Sequence, residues 1–138
     1  MKILPVTLKL RIGTYDIDFA GVVSNIVYIR WLEDLRLRFM EVHYPLEEAT
    51  KECTVPLISR LKAHYIQPLR MFDEPRGTVW IEKLGRVRFT MGAEIVKEGQ
   101  KAFEAIQEGC FVHTETKTVL PIPEELHRLS SFHGKDAP

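Results

Sequence analysis

The stretch Tyr15-Asp16-Ile17-Asp18-Phe19-Ala20-Gly21-Val22-Val23-Ser24-Asn25 runs without a break into a helical pattern that ends at Tyr44-Pro45. In that pattern Tyr28, Leu32, Leu35, Phe39 and Val42 recur at steps of four and three residues. This spacing stacks them into one narrow apolar stripe, with Trp31 beside it, that requires a core to bury it. Arg30, Asp34 and Arg38 follow one another at steps of four on another face, a row suited to solvent or to a subunit contact. Ser24 or Asn25 can cap the free amides at the start, and a residue held extended before Pro45 stops the helix. At about 1.5 Å per residue the segment from Ser24 to His43 spans roughly 30 Å. Directly before its positive end lie two acids, Asp16 and Asp18, with Gly21 between them and the helix. A carboxylate beside a helix N-terminus is the point at which this pattern stops being purely structural.

Outside the helix the pattern is strand. Val6, Leu8, Leu10 and Ile12 alternate with Thr7, Lys9 and Arg11, which predicts a half-buried first strand. After a polar connection between Pro45 and Pro56, period two resumes from Leu57 to Ile66, with Leu57, Leu61, Ala63 and Tyr65 on one side and Arg60, Lys62 and His64 on the other. Pro68 closes this strand, and the residues up to Gly77 read as a turn region. A third strand covers Thr78 to Leu84. Val87, Phe89, Met91, Ala93 and Ile95 give a fourth a clean apolar face, Glu98-Gly99 is a hairpin signal, and a fifth runs from Lys101 to about Thr114. Gly92 and Gly109 mark bulges or close backbone approach. Pro121 and Pro123 break the pattern, Glu124 to Leu129 predict a short helix, and the tail from about residue 130 has nothing to bury.

Strand, long helix, then four strands joined by short turns describes an α+β chain: an antiparallel sheet of five or so strands with one helix packed on it. One helix covers one face, so the other face or the edges call for a second subunit. The 138 residues suit a single domain spanning residues 1–138. The 19 basic side chains balance 19 acidic ones, which argues against a nucleic-acid partner, since such a partner selects a basic face. No apolar run approaches membrane-spanning length, and the alternating N-terminus with Lys2, Pro5 and Lys9 reads as strand rather than leader. Cys53 and Cys110 lie far apart without metal or disulfide spacing, which makes a reduced, cytoplasmic setting the expectation.

Asp16-Ile17-Asp18-Phe19-Ala20-Gly21-Val22-Val23, followed on the helix by Tyr28 and Trp31, resembles the signature of the 4-hydroxybenzoyl-CoA thioesterase family. Tyr65-Ile66-Gln67-Pro68 is similar to that family's Tyr-x-x-Pro strand end, Asp73 to its following acid, and Gly85-Arg86 to the start of its fourth strand. The resemblance runs from about Val6 to Pro121. It implies the hotdog fold, in which a sheet wraps one long central helix. It also implies hydrolysis of an acyl-CoA or acyl-carrier thioester at a dimer interface, by a homodimer or homotetramer, without metal or bound cofactor. By this resemblance Asp18 is the catalytic carboxylate and the Asn25 amide points at the thioester carbonyl, with Gly21 and Val22 against the substrate. Ser24-Asn25 departs from the aromatic residues common there and is similar to the Asn-Asn of plant-type acyl-carrier thioesterases. Val87-Arg88 departs from the small hydroxyl residues common after Gly-Arg.

The chemistry agrees with this assignment. Thioester hydrolysis needs a nucleophile or base beside the carbonyl carbon, and donors where negative charge develops on oxygen. A carboxylate next to the free amides of a helix supplies both. Two residues apart in an extended segment, Asp16 and Asp18 would share a face, and then each would oppose the other's ionisation. The plain structural alternative is that both acids shape a loop and cap a helix. Glu33 is a second candidate base but lies off the main stripe. His64 lacks a Ser or Cys partner by spacing, Cys110 reads as a small core residue, and no histidine matches the dehydratase branch of the fold. Arg86 and Arg88, on one side of the fourth strand, are candidates for the phosphates of coenzyme A. Trp80, Phe89 and Met91 are candidates for an acyl pocket or simply core. Two further readings remain: an acyl-carrier-protein thioesterase, and a domain that binds an acyl thioester without turnover.

Overall fold

In the computed structural model, which describes residues 2–136 and their side chains as far as residue 131, the predicted long helix is α1, Asn25–His43. Ser24 is its N-cap but makes no side-chain cap bond, and at the other end the Tyr44 N–H closes on the Met40 carbonyl. Val27, Tyr28, Trp31, Leu32, Leu35, Phe39 and Met40 are buried, whereas Val42, predicted to share the stripe, is exposed. The buried face turns as the helix proceeds, from the Val27 and Trp31 side towards the Met40 side. A straight helix laid across a twisted sheet must turn its contacts in this way.

The strands are β1 (Ile3–Lys9), β2 (Thr54–Tyr65), β3 (Arg76–Leu84), β4 (Arg88–Lys97), β5 (Gln100–His113) and the two-residue β6 (Val119–Leu120). All pair antiparallel in one sheet of order β1-β3-β4-β5-β2, with β6 against the far end of β5. The count is therefore one above the five expected, the sixth being too short to show as a period in the sequence. A short helix, α2 (Leu46–Lys51), occupies the polar connection. The closing helix α3 runs Glu124–Asp136, well beyond the Glu124–Leu129 read from sequence and into the tail for which no structure was expected.

Register shifts interrupt the ladders, with an extra residue in each of β1, β2, β3 and β5. An extra residue on one strand bends it and increases its twist, so the sheet curls around α1. The helix packs chiefly on β3 and β1. The core lies between them, with Val79, Ile81, Ile95 and Phe103 of the sheet against Trp31, Leu32 and Leu35 of α1. Two glycines permit close approach. A Cβ on Gly92 would come within 2.5 Å of the Trp80 ring, and one on Gly109 within 2.3 Å of the Leu57 carbonyl oxygen.

β2 ends the sheet, and its apolar side chains Leu57, Leu61 and Tyr65 are exposed. Beside it α1 carries a second apolar row, Ile26, Ile29 and Leu37, interrupted by Glu33 at helical spacing and also exposed.

Candidate active site

The two acids of the opening motif take opposite roles because a single 3-10 turn, Thr14–Asp16, breaks the extended alternation between them. Asp16 is 1% exposed. Its Oδ2 accepts the Gly13 N–H at 2.8 Å and its Oδ1 accepts Arg30 Nη1 at 3.0 Å. Burial pushes its carboxyl pKa up, but the bonds from Arg30 and Gly13 and the charge of Arg30 outweigh this and hold it below the ordinary value. Arg30, predicted for a solvated or subunit row, is thus the anchor of a structural carboxylate. Asp16 is spent on holding the loop.

Asp18 follows in a tight loop closed by the Ile17–Val23 bridge. Its backbone N–H donates to the Val22 carbonyl at 2.9 Å, its carbonyl accepts the Gly21 N–H at 3.0 Å, and its Oδ1 accepts the Ala20 N–H at 2.8 Å. Gly21 has φ +79°, the left-handed region that glycine enters without strain. The carboxylate is partly exposed, and its Oδ2 accepts no bond among the described residues. The Val23 N–H is held by Leu69 O and the Ser24 N–H by Asp16 O, which delivers the chain to the helix. There the Asn25 and Ile26 amides have no protein acceptor among the described residues, and Ser24 does not cap them. The Tyr65 hydroxyl donates to the Asn25 carbonyl at 3.0 Å and fixes the first turn to β2. Tyr15, Phe19 and Ile26 stand exposed around this loop. Asp18, Gly21, Val22 and Asn25 are therefore brought together: one carboxylate with a spare oxygen, and free N–H groups at a positive helix end.

Arg86 and Arg88 are not brought to this loop within one chain. Arg86 lies in the β3–β4 connection and Arg88 at the start of β4, level with Cys110 and Leu57. The loop with Asp18 is tied to the opposite end of β2 through Tyr65 and Leu69. His64 lies on the exposed face of β2 against Glu104 at 3.3 Å. Trp80 faces the side of the sheet away from α1, where Lys2 lies over its ring and its Nε1 donates to Glu82.

A cleft of ≈ 270 Å³ opens between the C-terminal half of α1 and the start of β2, walled by Leu57, Ile58, Phe89, Met91 and Phe111. Phe89 and Met91 are thus core and pocket wall at once. Among the described residues, its charged lining is Glu33 and Arg36. Arg36 was missed from sequence although a signal existed: it lies four residues from both Leu32 and Met40, inside the buried arc. Its Nη1 bonds Oε1 of Gln107, which is fully buried on β5. Burial pushes the Arg36 pKa down, and Glu33 opposes this.

The family model of the thioesterase-like superfamily matches residues 12–129. Among curated proteins none matches the chain by sequence. Among solved structures, a hypothetical protein from Staphylococcus aureus in complex with CoA superposes with a TM-score of 0.89 at 18% identity, covering 100% of this chain and 89% of that one. A gentisyl-coenzyme A thioesterase gives 0.81 at 20% identity, covering 88% and 99%. A DHNA-CoA thioesterase from Staphylococcus aureus gives 0.81 at 19%, covering 100% and 97%. At such identities the superpositions speak for the fold, and the sheet curled around α1 is that fold. With the family model spanning most of its length, this chain belongs to the thioesterase-like superfamily and is a hotdog-fold thioester hydrolase.

Proposed function

We propose that this protein hydrolyses acyl-CoA thioesters as a two-fold dimer, with Asp18 as the acting carboxylate and the Asn25 N–H as donor to the thioester carbonyl. The observation that carries this reading is the division between the acids: Asp16 has both oxygens bonded, whereas Asp18 keeps one spare beside free helix amides. A carbonyl oxygen resting on the Asn25 amide would become more negative as the carbon is attacked, and the helix end favours that charge. Either Asp18 attacks the carbonyl carbon, expels the CoA thiolate and leaves an anhydride that water opens, or it takes a proton from the attacking water. Gly21, turned through a left-handed angle with nothing within 4 Å of a Cβ position, leaves room for the thioester, with Val22 behind it.

The dimer follows from the open edge. Pairing β2 with its symmetry mate, antiparallel about a two-fold axis, would cover Leu57, Leu61 and Tyr65 and the apolar row on α1. It would also bring the Leu57 end of the partner level with the Tyr65 end of this chain. The row that holds Arg88, with Arg86 beyond it, then flanks the Asp18 loop of the other copy, where the two arginines are suited to coenzyme A phosphates. A neighbouring fold that carries CoA supports this choice of carrier.

The test is thiol release from a panel of acyl-CoAs. Asp18→Asn is expected to lower kcat about 10²- to 10⁴-fold, the usual worth of a positioned acid or base, while still binding a non-hydrolysable thioether analogue. Release by this variant at the parent rate overturns the assignment. Faster release from the same acyl group on an acyl-carrier protein would move the reading to that carrier. Tight analogue binding by the parent with no release would make the domain a binder.

A further inference from the structure

Arg36 poses a problem that the hydrolysis chemistry does not solve. A guanidinium drawn inside a protein is nearly always matched by an anion, because a buried charge left unmatched has lost its hydration without return. Here the head group is turned inward to Gln107, a neutral amide, and makes no ion pair among the described residues. It does not escape along the surface as long basic side chains commonly do. Gln107 adds to the imbalance: it is 0% exposed, its Oε1 is taken by Arg36, and its Nε2 has no acceptor among the described residues. Arg36 itself lines the cleft, whose walls are otherwise mostly apolar, while Gln107 holds it from behind and leaves its other N–H groups for a ligand. Glu33, the one carboxylate among the described lining residues, is exposed and favours the charged form of Arg36.

The cleft belongs to the Leu57 end of β2 and to Leu37 on α1, so in the two-fold pairing proposed above it would face the Asp18 loop of the other copy. Within one chain the two are far apart: Arg36 stands three turns along α1 from Asn25, about 16 Å. At ~30 Å³ per water-sized group, 270 Å³ holds about nine such groups, enough for a six- to eight-carbon acyl chain.

We infer that the cleft selects acyl groups that end in a carboxylate, with Arg36, anchored by Gln107, gripping the distal anion while the thioester lies at Asp18 of the partner. This rests on the thioesterase reading for its second half only, since the grip on the anion is a binding property that needs no turnover. The carboxylate would accept the fork of guanidinium N–H groups in a water-poor pocket, the setting in which such bonds discriminate most.

The experiment compares matched six-carbon probes. Hexanoate and the neutral hexanamide are titrated into the protein by calorimetry or NMR, and adipoyl-CoA and hexanoyl-CoA are compared for kcat/KM. Hexanoate is expected to bind at least about tenfold tighter than hexanamide, and adipoyl-CoA to be favoured over hexanoyl-CoA by a similar factor, within reach of one charged hydrogen-bonded contact. Arg36→Met, matched in length, should collapse both ratios about tenfold. Gln107→Leu, which releases Arg36 from its anchor, should narrow them. If hexanoate outbinds hexanamide and the Met variant loses the difference while neither thioester is cleaved, the inference stands and the hydrolase mechanism falls. If both thioesters are cleaved at equal rates and the acid and the amide bind equally, the inference falls and the hydrolase remains. The parent ratio decides even if a variant does not fold. A structure showing Arg36 in an ion pair with a carboxylate of the second copy also overturns the inference.

Discussion

Asp16 and Asp18 are the same residue type two positions apart, yet their substitutions should read out differently. Asp16→Asn removes a buried carboxylate held by Arg30 and Gly13. It is expected to destabilise the fold by about 2 kcal/mol, below the usual cost of breaking a buried pair because Arg30 is half exposed; chemical denaturation measures it. The same carboxylate makes stability depend on pH. Its folded pKa lies below the ordinary 3.8, so its contribution is fully present above that value and is lost as the pH falls through the lower folded one. The parent should therefore lose stability on acidification below about pH 4, and the Asn variant should show a flatter acid limb. Asp18→Asn should leave the denaturation midpoint unchanged within error, because its carboxylate accepts a bond from a single exposed amide, that of Ala20. At this scale the motif was legible but the assignment was not derivable. Alternation implies two acids on one face, and only the 3-10 turn, which leaves no strong mark in Gly13-Thr14-Tyr15, separates them.

Among the elements, the strands of the β3–β4–β5 meander were the most legible, because Phe89, Met91, Ala93 and Ile95 alternate cleanly along β4 and Glu98-Gly99 forms the turn that its residues demand. Both have positive φ, 49° and 77°, which suits the right-handed twist of a two-residue hairpin. β2 was legible as a strand but not as an edge, since the composition of Leu57, Leu61 and Tyr65 is that of a half-buried strand. The end of α3 was not legible, for a polar run without capping signals looks the same in a helix or a tail. The close approaches show that glycine in β5 is structural rather than permissive. Gly109→Ala places a methyl group against the Leu57 carbonyl oxygen, a backbone atom that cannot swing away. It should cost about 2–3 kcal/mol and weaken protection of the β2 amides in hydrogen exchange more than those of β3.

The whole molecule shows a mismatch between its finished core and its unfinished surface. Trp31, Leu32 and Ile95 are fully enclosed, while Ile26 is 76% exposed and Leu57 53% on the side where β2 has no neighbour. That contrast is what the proposed dimer resolves. Leu61→Arg, at the middle of the edge strand, should leave the protomer folded but shift the assembly to monomer in sedimentation or light scattering, and thiol release should fall with it. A parent protein that sediments as a monomer at working concentration would contradict the shared site. Sequence alone reached the need for a second subunit by counting helices against sheet faces, but not the inward Arg36, because a single base in a helical stripe is easily read as a break in the pattern.

The sheet order carries one more consequence, for the way the chain finds its shape. β3, β4, β5 and the short β6 are joined in succession by short turns, whereas both outer strands, β1 and β2, are separated in sequence from the neighbours they pair with. Closing those long loops is entropically slow compared with zipping a meander. During synthesis β1 precedes α1, but β3, the other strand on which the helix packs, is made well after it, so the greasy side of Leu32 and Leu35 stays half-covered until then. The molecule is thus most vulnerable to chaperone capture and self-association in the interval between making its helix and completing β5.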